Sequence, residues 1–600
     1  MIAKDQVQQA GQGDVLMEHA VFRESGRMRV MHHEGGWRLL SLALLLICGS
    51  AGAMEIPTSN EGIVLRWDNT LRYTLAQRLD GQNRAIIGNP NSDDGDRNFS
   101  SGIVSNRFDL LSEADLVYRK KYGVRVSGAA WYDERYANER MQNRNVATSN
   151  YLVGSGTPSV GLNSYNTNNF SGPNGELLDA FAFANSEIGG MPLNVKIGRH
   201  SIYWGESLGV GGLMHSVAYA QMPVDQAKAS AMPGAEVKEL FRPLNSISFQ
   251  FQPTKGLSIA GQYCLQWESN KFAEGGSYLG ASDVQIGGDQ GSLISGASPG
   301  GGYLRALKGA DIQPNAFRDW GVALRWVPEL LGGNLGLYYR NFSDKSPQLL
   351  LQNGLSGSTI SNPSIVDLSR GIIGRYYLAY AQDITLYGIS LSKELFNLSV
   401  GAELSYRQNM PLVSDIVLIP PAADLPAAGE TGGARGDTWH ALINVVGVIG
   451  PNPLSHAATW SMEYVWNHLE SVTQGAAVYK GRDGYHGIDK PTKNFVGGSL
   501  NFTPTWFQTF PGVDLSLPLS ISSGLIGNSC VAGGGNKNGG SWGAGVGADI
   551  FLRYKVDIKY VDFFGDYTTD PATGALKSSN GGSALLSDRG FISLTLKTTF

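Results

Sequence analysis

Apolar and polar residues alternate with a period of two along many short segments of this chain. In 256–267, Leu257, Ile259, Tyr263, Leu265 and Trp267 fall on one face of an extended strand, and Ser258, Gln262, Cys264 and Gln266 on the other. In 398–407, Leu398, Val400, Ala402, Leu404 and Tyr406 oppose Ser399, Gly401, Glu403, Ser405 and Arg407. Trp460, Met462, Tyr464 and Trp466 likewise oppose Ser461, Glu463 and Asn467. The final residues repeat the pattern. Ile592, Leu594, Leu596 and Phe600, interrupted by Thr598, share a face against Ser593, Thr595, Lys597 and Thr599, and the chain stops on an aromatic ring. The periodicity predicts strands near 63–77, 104–119, 122–133, 177–189, 192–203, 237–250, 256–268, 317–327, 334–342, 379–394, 397–408, 434–448, 457–468, 493–503, 513–523, 541–551, 555–564 and 590–600.

A soluble sandwich also alternates in this way. Two features point instead to a single large transmembrane antiparallel β-barrel, an all-β fold of about 18 strands, with 16 as the alternative count. The apolar faces carry Trp and Tyr near strand ends, as an interfacial girdle would. The polar faces carry Gly, Ser and Gln with Glu403, Arg407 and Glu463, which suits a wet lumen. The connections also alternate. Tight ones sit at Lys120-Lys121, 189–191, 253–255, 328–333, Phe396 and 451–453, and long ones cover 134–176, 204–236, 269–316, 409–433 and 565–589. Short periplasmic turns opposite long external or lumen-folded loops are the habit of outer-membrane barrels. The last strand resembles the address read by the barrel-assembly machinery, with Phe600 at its end. It is expected to close the sheet against the first strand near 63–77, which requires an even strand number.

Composition narrows the reading. Residues 1–53 look like a cleaved signal peptide: Arg23, Arg27, Arg29 and Arg38 precede an apolar run from Leu39, and Ala51-Gly-Ala53 offers a small-x-small cleavage pattern. The basic region is long, so translation could start at Met28 or Met31. Residues 54–600 then form one barrel domain in the bacterial outer membrane, in contact with lipid and lipopolysaccharide. Outside the leader no apolar stretch reaches helical spanning length. Charged residues are only 16% and glycine 78 of 600, which suits strands joined by polar loops. A net charge of −5 without a basic tract excludes nucleic acid as the expected partner. Cys264 and Cys530 could pair, but two cysteines make no disulfide framework.

The densest polar and aromatic cluster is 196–207. Arg199, His200 and Glu206, with Tyr203 and Trp204 offering apolar contact, could form a charged constriction in the lumen. Arg199 and Glu206 could equally be a pair that braces the wall. The following loop holds Asp225, Glu236, Lys238 and Glu239 among prolines and glycines, as a rigid turn in or over the pore or as a solvated loop. Asp93, Asp94 and Asp96 around Gly95 could ligate Ca²⁺. They lack the distal Glu of a helix-loop-helix calcium loop, and a polar external turn is the preferred reading. No cofactor or metal site is expected. His200-Ser201, His215-Ser216 and Asp225 could supply a hydrolytic triad, but no Gly-x-Ser-x-Gly elbow is present, and an enzyme is the last choice.

Asn91–Asp96, Trp131-Tyr-Asp133, Gly198-Arg199 with Trp204-Gly-Glu206, and Pro223-Val-Asp225 followed by 233–239 resemble domain-of-unknown-function family 1302 over essentially the whole mature chain. The chain departs from the family's pattern at His200, where Gln is usual. The resemblance implies a proteobacterial outer-membrane barrel that passes hydrophobic or amphipathic molecules of lipid-, steroid- or aromatic-like chemistry. It also implies two partners, a periplasmic lipid-carrier-like protein and a resistance-nodulation-division type transporter. The expected function is therefore a channel. The alternative is a plugged binding or structural barrel, and the third reading is an outer-membrane hydrolase.

Overall fold

Each alternating segment pairs antiparallel with the next, and the ribbon so formed returns to its own beginning. The computed structural model describes residues 54–137, 151–152, 157–158, 174–231, 237–284, 291–297, 303–357 and 359–600, so the leader at 1–53 lies outside the described residues. The barrel strands are β1 (Ile63–Arg78), β2 (Gly102–Tyr118), β3 (Tyr122–Asp133), β4 (Asn174–Ile188), β5 (Met191–His200) and β6 (Leu244–Thr254). Then come β7 (Leu257–Cys264), β8 (Trp320–Trp326), β9 (Asn334–Phe342), β10 (Ile384–Leu395), β11 (Leu398–Pro411) and β12 (Arg435–Ile449). The circuit ends with β13 (Ala457–Gln474), β14 (Asn494–Phe510), β15 (Val513–Ser516 and Leu519–Ile526), β16 (Gly540–Ile550), β17 (Tyr554–Phe564) and β18 (Phe591–Thr599). The sheet contains twenty segments. Met54–Ile56 is a short flap on β1, and β15 is one strand interrupted at Leu517-Pro518, where proline has no N–H to give the ladder, which leaves eighteen.

Closure occurs where the terminal pattern requires it. Thr70 faces Thr599, Arg78 faces Phe591, and Asn69 and Phe600 exchange backbone hydrogen bonds of 2.8 and 3.0 Å. A closed sheet has no edge, so every spanning strand satisfies its backbone within the wall. Among the described residues no helix is long and apolar enough to cross a membrane; the crossing is made by strands.

Tight turns occupy one end of the barrel and long loops the other. Phe396-Asn397 joins two strands with both residues at positive φ, the twist a two-residue hairpin needs, and Gly189-Gly190 does the same. The predicted faces are the observed ones. Leu404, Ile443, Tyr464, Ile521 and Ile558 are exposed toward lipid, whereas Glu403, Arg407, Glu463 and Asn467 are buried on the inner face. Rings meet across neighbouring strands at the long-loop end: Trp320–Tyr339 at 5.3 Å, Tyr406–Trp439 at 4.8 Å and Trp542–Tyr560 at 5.2 Å. These form the outer girdle.

Two differences matter for the site. The strand expected at 237–250 begins only at Leu244, because Val237–Leu240 is a short helix inside the barrel. The long loops also carry structure of their own. Ser292–Ala297, Tyr303–Lys308, Gln348–Asn353, Ile372–Ala379 and Val417–Ile419 form a separate five-stranded mixed sheet. Its strands are too short and too irregular in register for periodicity to reveal.

Deleting 591–600 leaves β1 and β17 with unpaired edges. The expected outcome is loss of the heat-modifiable band in semi-native electrophoresis, with unboiled protein migrating at its denatured position.

Candidate functional site in the barrel lumen

The loop that follows β5 does not lie outside the membrane. It turns into the lumen and is gripped by charged side chains of the wall. The Glu403 carboxylate on β11 accepts from the Ser207 N–H at 3.2 Å, the Val217 N–H at 2.6 Å and the Ser216 hydroxyl at 3.2 Å, and also from the Glu206 N–H. Glu463 on β13 accepts from the Leu208 N–H at 2.9 Å. Arg407 on β11 donates to the carbonyls of Met214 and Ser216 at 2.9 and 2.8 Å, and Arg340 on β9 donates to those of Val217 and Tyr219 at 2.7 Å each. Both guanidinium groups are fully buried. The backbone approaches the carboxylates so closely that a Cβ at Gly205 (φ +95) would stand 2.5 Å from Glu403 Oε1, and one at Gly212 would stand 2.0 Å from Glu463 Oε1. The positive φ favours glycine at position 205, and at position 212 a side chain would force the Glu463 carboxylate to move.

The far end of the same loop reaches the opposite wall. Glu239 holds Arg72 of β1 through both carboxylate oxygens, one at 3.0 Å. With β1 and β11 ten strands apart in a ring of eighteen, the loop crosses the lumen from side to side.

The residues singled out from sequence do not form one constriction. Arg199 shares the outward face of β5 with exposed Ile197, so it is not a lumen group. It binds Glu268 at 2.9 Å and Gln266 at 3.3 Å at the outer rim, and neither the opposed-charge ring nor the Arg199–Glu206 brace forms. A one-residue parity decides this, because a strand that points Lys196 and His200 inward must point Arg199 outward. His200 is buried on the inner face, against Ser248 Oγ at 2.7 Å and the Phe181 ring. Trp204 packs on Tyr338 and donates its backbone N–H to Gln221 Oε1 at 2.9 Å. Tyr203 donates to the Ser207 carbonyl at 2.9 Å and packs on Phe241. Glu206 anchors the loop start, its Oε1 accepting from Ser390 at 3.3 Å and its carbonyl from Asn444 at 2.6 Å. Asp225 accepts from the Lys228 N–H at 2.9 Å and so caps the helix Gln226–Ala231. Lys238 belongs to the helix Val237–Leu240, and Glu236 lies outside the described residues.

The aspartate turn is a second correction. It is not a solvated external turn: Asp93, Asp94 and Asp96 are all buried, and Asp96 pairs with Arg78 of β1. The loop folds back because Phe99 packs between Tyr136 at 5.1 Å and Tyr278 at 5.6 Å.

Between the cross-lumen loop and the wall formed by β1, β2, β3 and β18 lies a cavity with about 900 Å³ of atom-free space, open solvent included. Trp131, Tyr136, Phe272, Tyr278 and Phe591 supply its rings. Arg107, Lys228 and Lys271 stand 5.6–5.8 Å from the Trp131 ring centre. Two buried polar groups of residues on its lining, the Trp131 indole N–H and the Thr74 hydroxyl, have no hydrogen-bond partner among the described residues. In the sequence Trp131 stands out only within Trp131-Tyr-Asp133, and nothing in the local pattern marks Thr74 or Lys271.

A profile of known families matches residues 36–600. The chain belongs to the family described as "Protein of unknown function (DUF1302)". No curated protein matches it. Among solved structures it is similar to OccAB3 of Acinetobacter baumannii, at 10% identity and TM-score 0.39 over 89% of this chain and 99% of that one. It is also similar to the outer membrane protein opdK of Pseudomonas aeruginosa, at 10% identity and TM-score 0.39 over 89% and 98%. A third likeness is to a BenF-like porin from Pseudomonas fluorescens Pf-5, at 9% identity and TM-score 0.38 over 89% and 98%.

This DUF1302 barrel does not assemble the triad that its sequence could supply. His200 meets Ser248 rather than Ser201, the Ser216 hydroxyl donates to Glu403, and Asp225 caps a helix. Cys264 and Cys530 are both buried and free. His215 instead joins the loop to β12. Its Nε2 lies 2.8 Å from the Gly534 carbonyl and so must carry the proton. Its Nδ1, 3.0 Å from Nδ1 of His440, therefore accepts, while His440 Nε2 takes the Thr438 hydroxyl at 3.0 Å. Both rings are neutral in this chain of bonds. Burial, with Arg407 adding to it, pushes the His215 pKa down to about 4.

A histidine held neutral in this way contributes stability above its unfolded pKa of about 6.5 that is lost as pH falls toward 4. Acidification from pH 7 to 4.5 is therefore expected to lower the hydrogen-exchange protection factors in 204–222, and His215→Gln to flatten that dependence. Arg407→Ala leaves the Met214 carbonyl and the buried Ser216 carbonyl without these donors, a change worth about 1–3 kcal/mol for each. Trypsin cleavage at Lys228, followed by mass spectrometry, is expected to accelerate about tenfold or more.

Proposed function

We propose that this barrel is an outer-membrane channel for small hydrophobic or amphipathic molecules, with the cavity beside the cross-lumen loop as its binding station. One observation carries the reading. A ring-lined cavity inside the wall sets the cations Arg107, Lys228 and Lys271 beside the Trp131 ring. An amphipathic solute can cover the rings with its apolar part and meet those cations with its polar end. The chemistry asked of the protein is selection and passage, without covalent steps. Handing the solute to a periplasmic lipid-carrier-like protein and a resistance-nodulation-division type transporter belongs to the same proposal.

The wall-to-wall grip on the loop favours a second reading, a plugged barrel that binds but does not conduct. Purified protein in liposomes separates the two. Faster entry of aromatic or steroid-like amphiphiles than into protein-free liposomes supports the channel, and unchanged entry for every such solute supports the plug. Trp131→Ala is expected to reduce solute affinity by about tenfold, the upper range for one lost ring contact, without loss of the heat-modifiable band.

A further inference from the structure

The aspartate turn meets a carboxylate that lies some 190 residues later in the chain. Asp93 and Asp94 open the helix Asp94–Asn98, and Asp283 comes from the loop after β7. All three are buried, and a carboxylate oxygen of each lies within 4.8 Å of the others. The two loops are interlocked here. The Asp283 N–H donates to the Asn91 carbonyl at 2.9 Å, and the Asp94 N–H donates to Asp283 Oδ2 at 3.1 Å.

One neighbouring cation reaches the cluster and two are engaged elsewhere. Arg97 binds Oδ2 of Asp93, and Arg78 is held by Asp96 and Asp588. Arg589 directs its Nη groups to the carbonyls of Tyr278, Gly280 and Ser92. Among the described residues Asp283 has no salt bridge. Its Oδ1, like Oδ1 of Asp93, is fully buried and accepts no hydrogen bond. Buried carboxylate oxygens without a donor are costly, and a hard divalent cation with oxygen ligands is what such a cluster accommodates.

We propose that Asp93, Asp94 and Asp283 bind one Ca²⁺ ion that fastens the first long loop to the loop after β7. The consequence reaches the cavity. Both loops supply its outer wall indirectly, through Phe99 packed on Tyr136 and Tyr278, so the ion would hold Tyr278 and Leu279 in place over the solute site. The helix-loop-helix pattern fails in the sequence because the third carboxylate comes from another loop, while Asp96 serves the barrel wall instead.

The test uses full-length protein refolded into detergent free of lipopolysaccharide, treated with chelator, and titrated with CaCl₂. Equilibrium dialysis should give one Ca²⁺ per chain, with half-saturation in the range of about 0.1–1 mM or tighter that extracellular sites show. Asp283→Asn and Asp94→Asn should each weaken binding by about tenfold or more while keeping the heat-modifiable band, and the melting temperature should rise with Ca²⁺ only in the wild type. If one variant does not fold, the other decides. Absence of binding by the wild type, or binding unchanged in the folded variants, overturns the proposal.

Discussion

The interior of this barrel rests on buried wall charges that find their partners in loop backbone. Glu403, Glu463, Arg340 and Arg407 are taken out of water, and each would be expensive if left alone. None pairs with an opposite charge across a short strand-to-strand distance. The carboxylates collect N–H groups from 206–217, and the guanidinium groups collect carbonyls from 214–219. Donors and acceptors of a loop with little secondary structure are thereby satisfied by the wall, and the wall by the loop.

This reciprocity explains why the loop can cross the lumen. Irregular backbone at membrane depth is tolerated only where protein or a water-lined cavity satisfies it. The two glycines under the carboxylates permit the approach, and the Glu239–Arg72 contact fixes the far end. The cavity lies between the loop and the wall of β1–β3 and β18, and the Glu239–Arg72 contact ties the loop to that wall.

Much of the barrel was legible from alternation. The eighteen strands, the outward faces of β7, β11 and β13, the segregation of short and long connections and the closing pair of β18 with β1 follow from period two and from the need to leave no edge. Glu403, Arg407 and Glu463 were correctly placed on the inner face for the same reason. The candidate site was less legible. Arg199 was placed in the lumen because its neighbours are polar, yet its own parity turns it outward. Asp93 and Asp94 were read as a solvated turn because nothing local shows that Phe99 pulls the turn into the fold.

By itself the sequence determined the fold class, an even strand number near eighteen and the faces of the cleanly alternating strands, because those properties are set by local periodicity and by neighbours one hairpin away. Only the tertiary structure decided what fills the lumen. The contacts of Glu403 with 206–217, of His215 with His440, of Arg72 with Glu239 and of Asp93 with Asp283 join residues about 170–230 positions apart. No spacing rule connects such pairs. They meet because a closed wall brings distant strands around one lumen, where buried charge must find a partner wherever the chain supplies one.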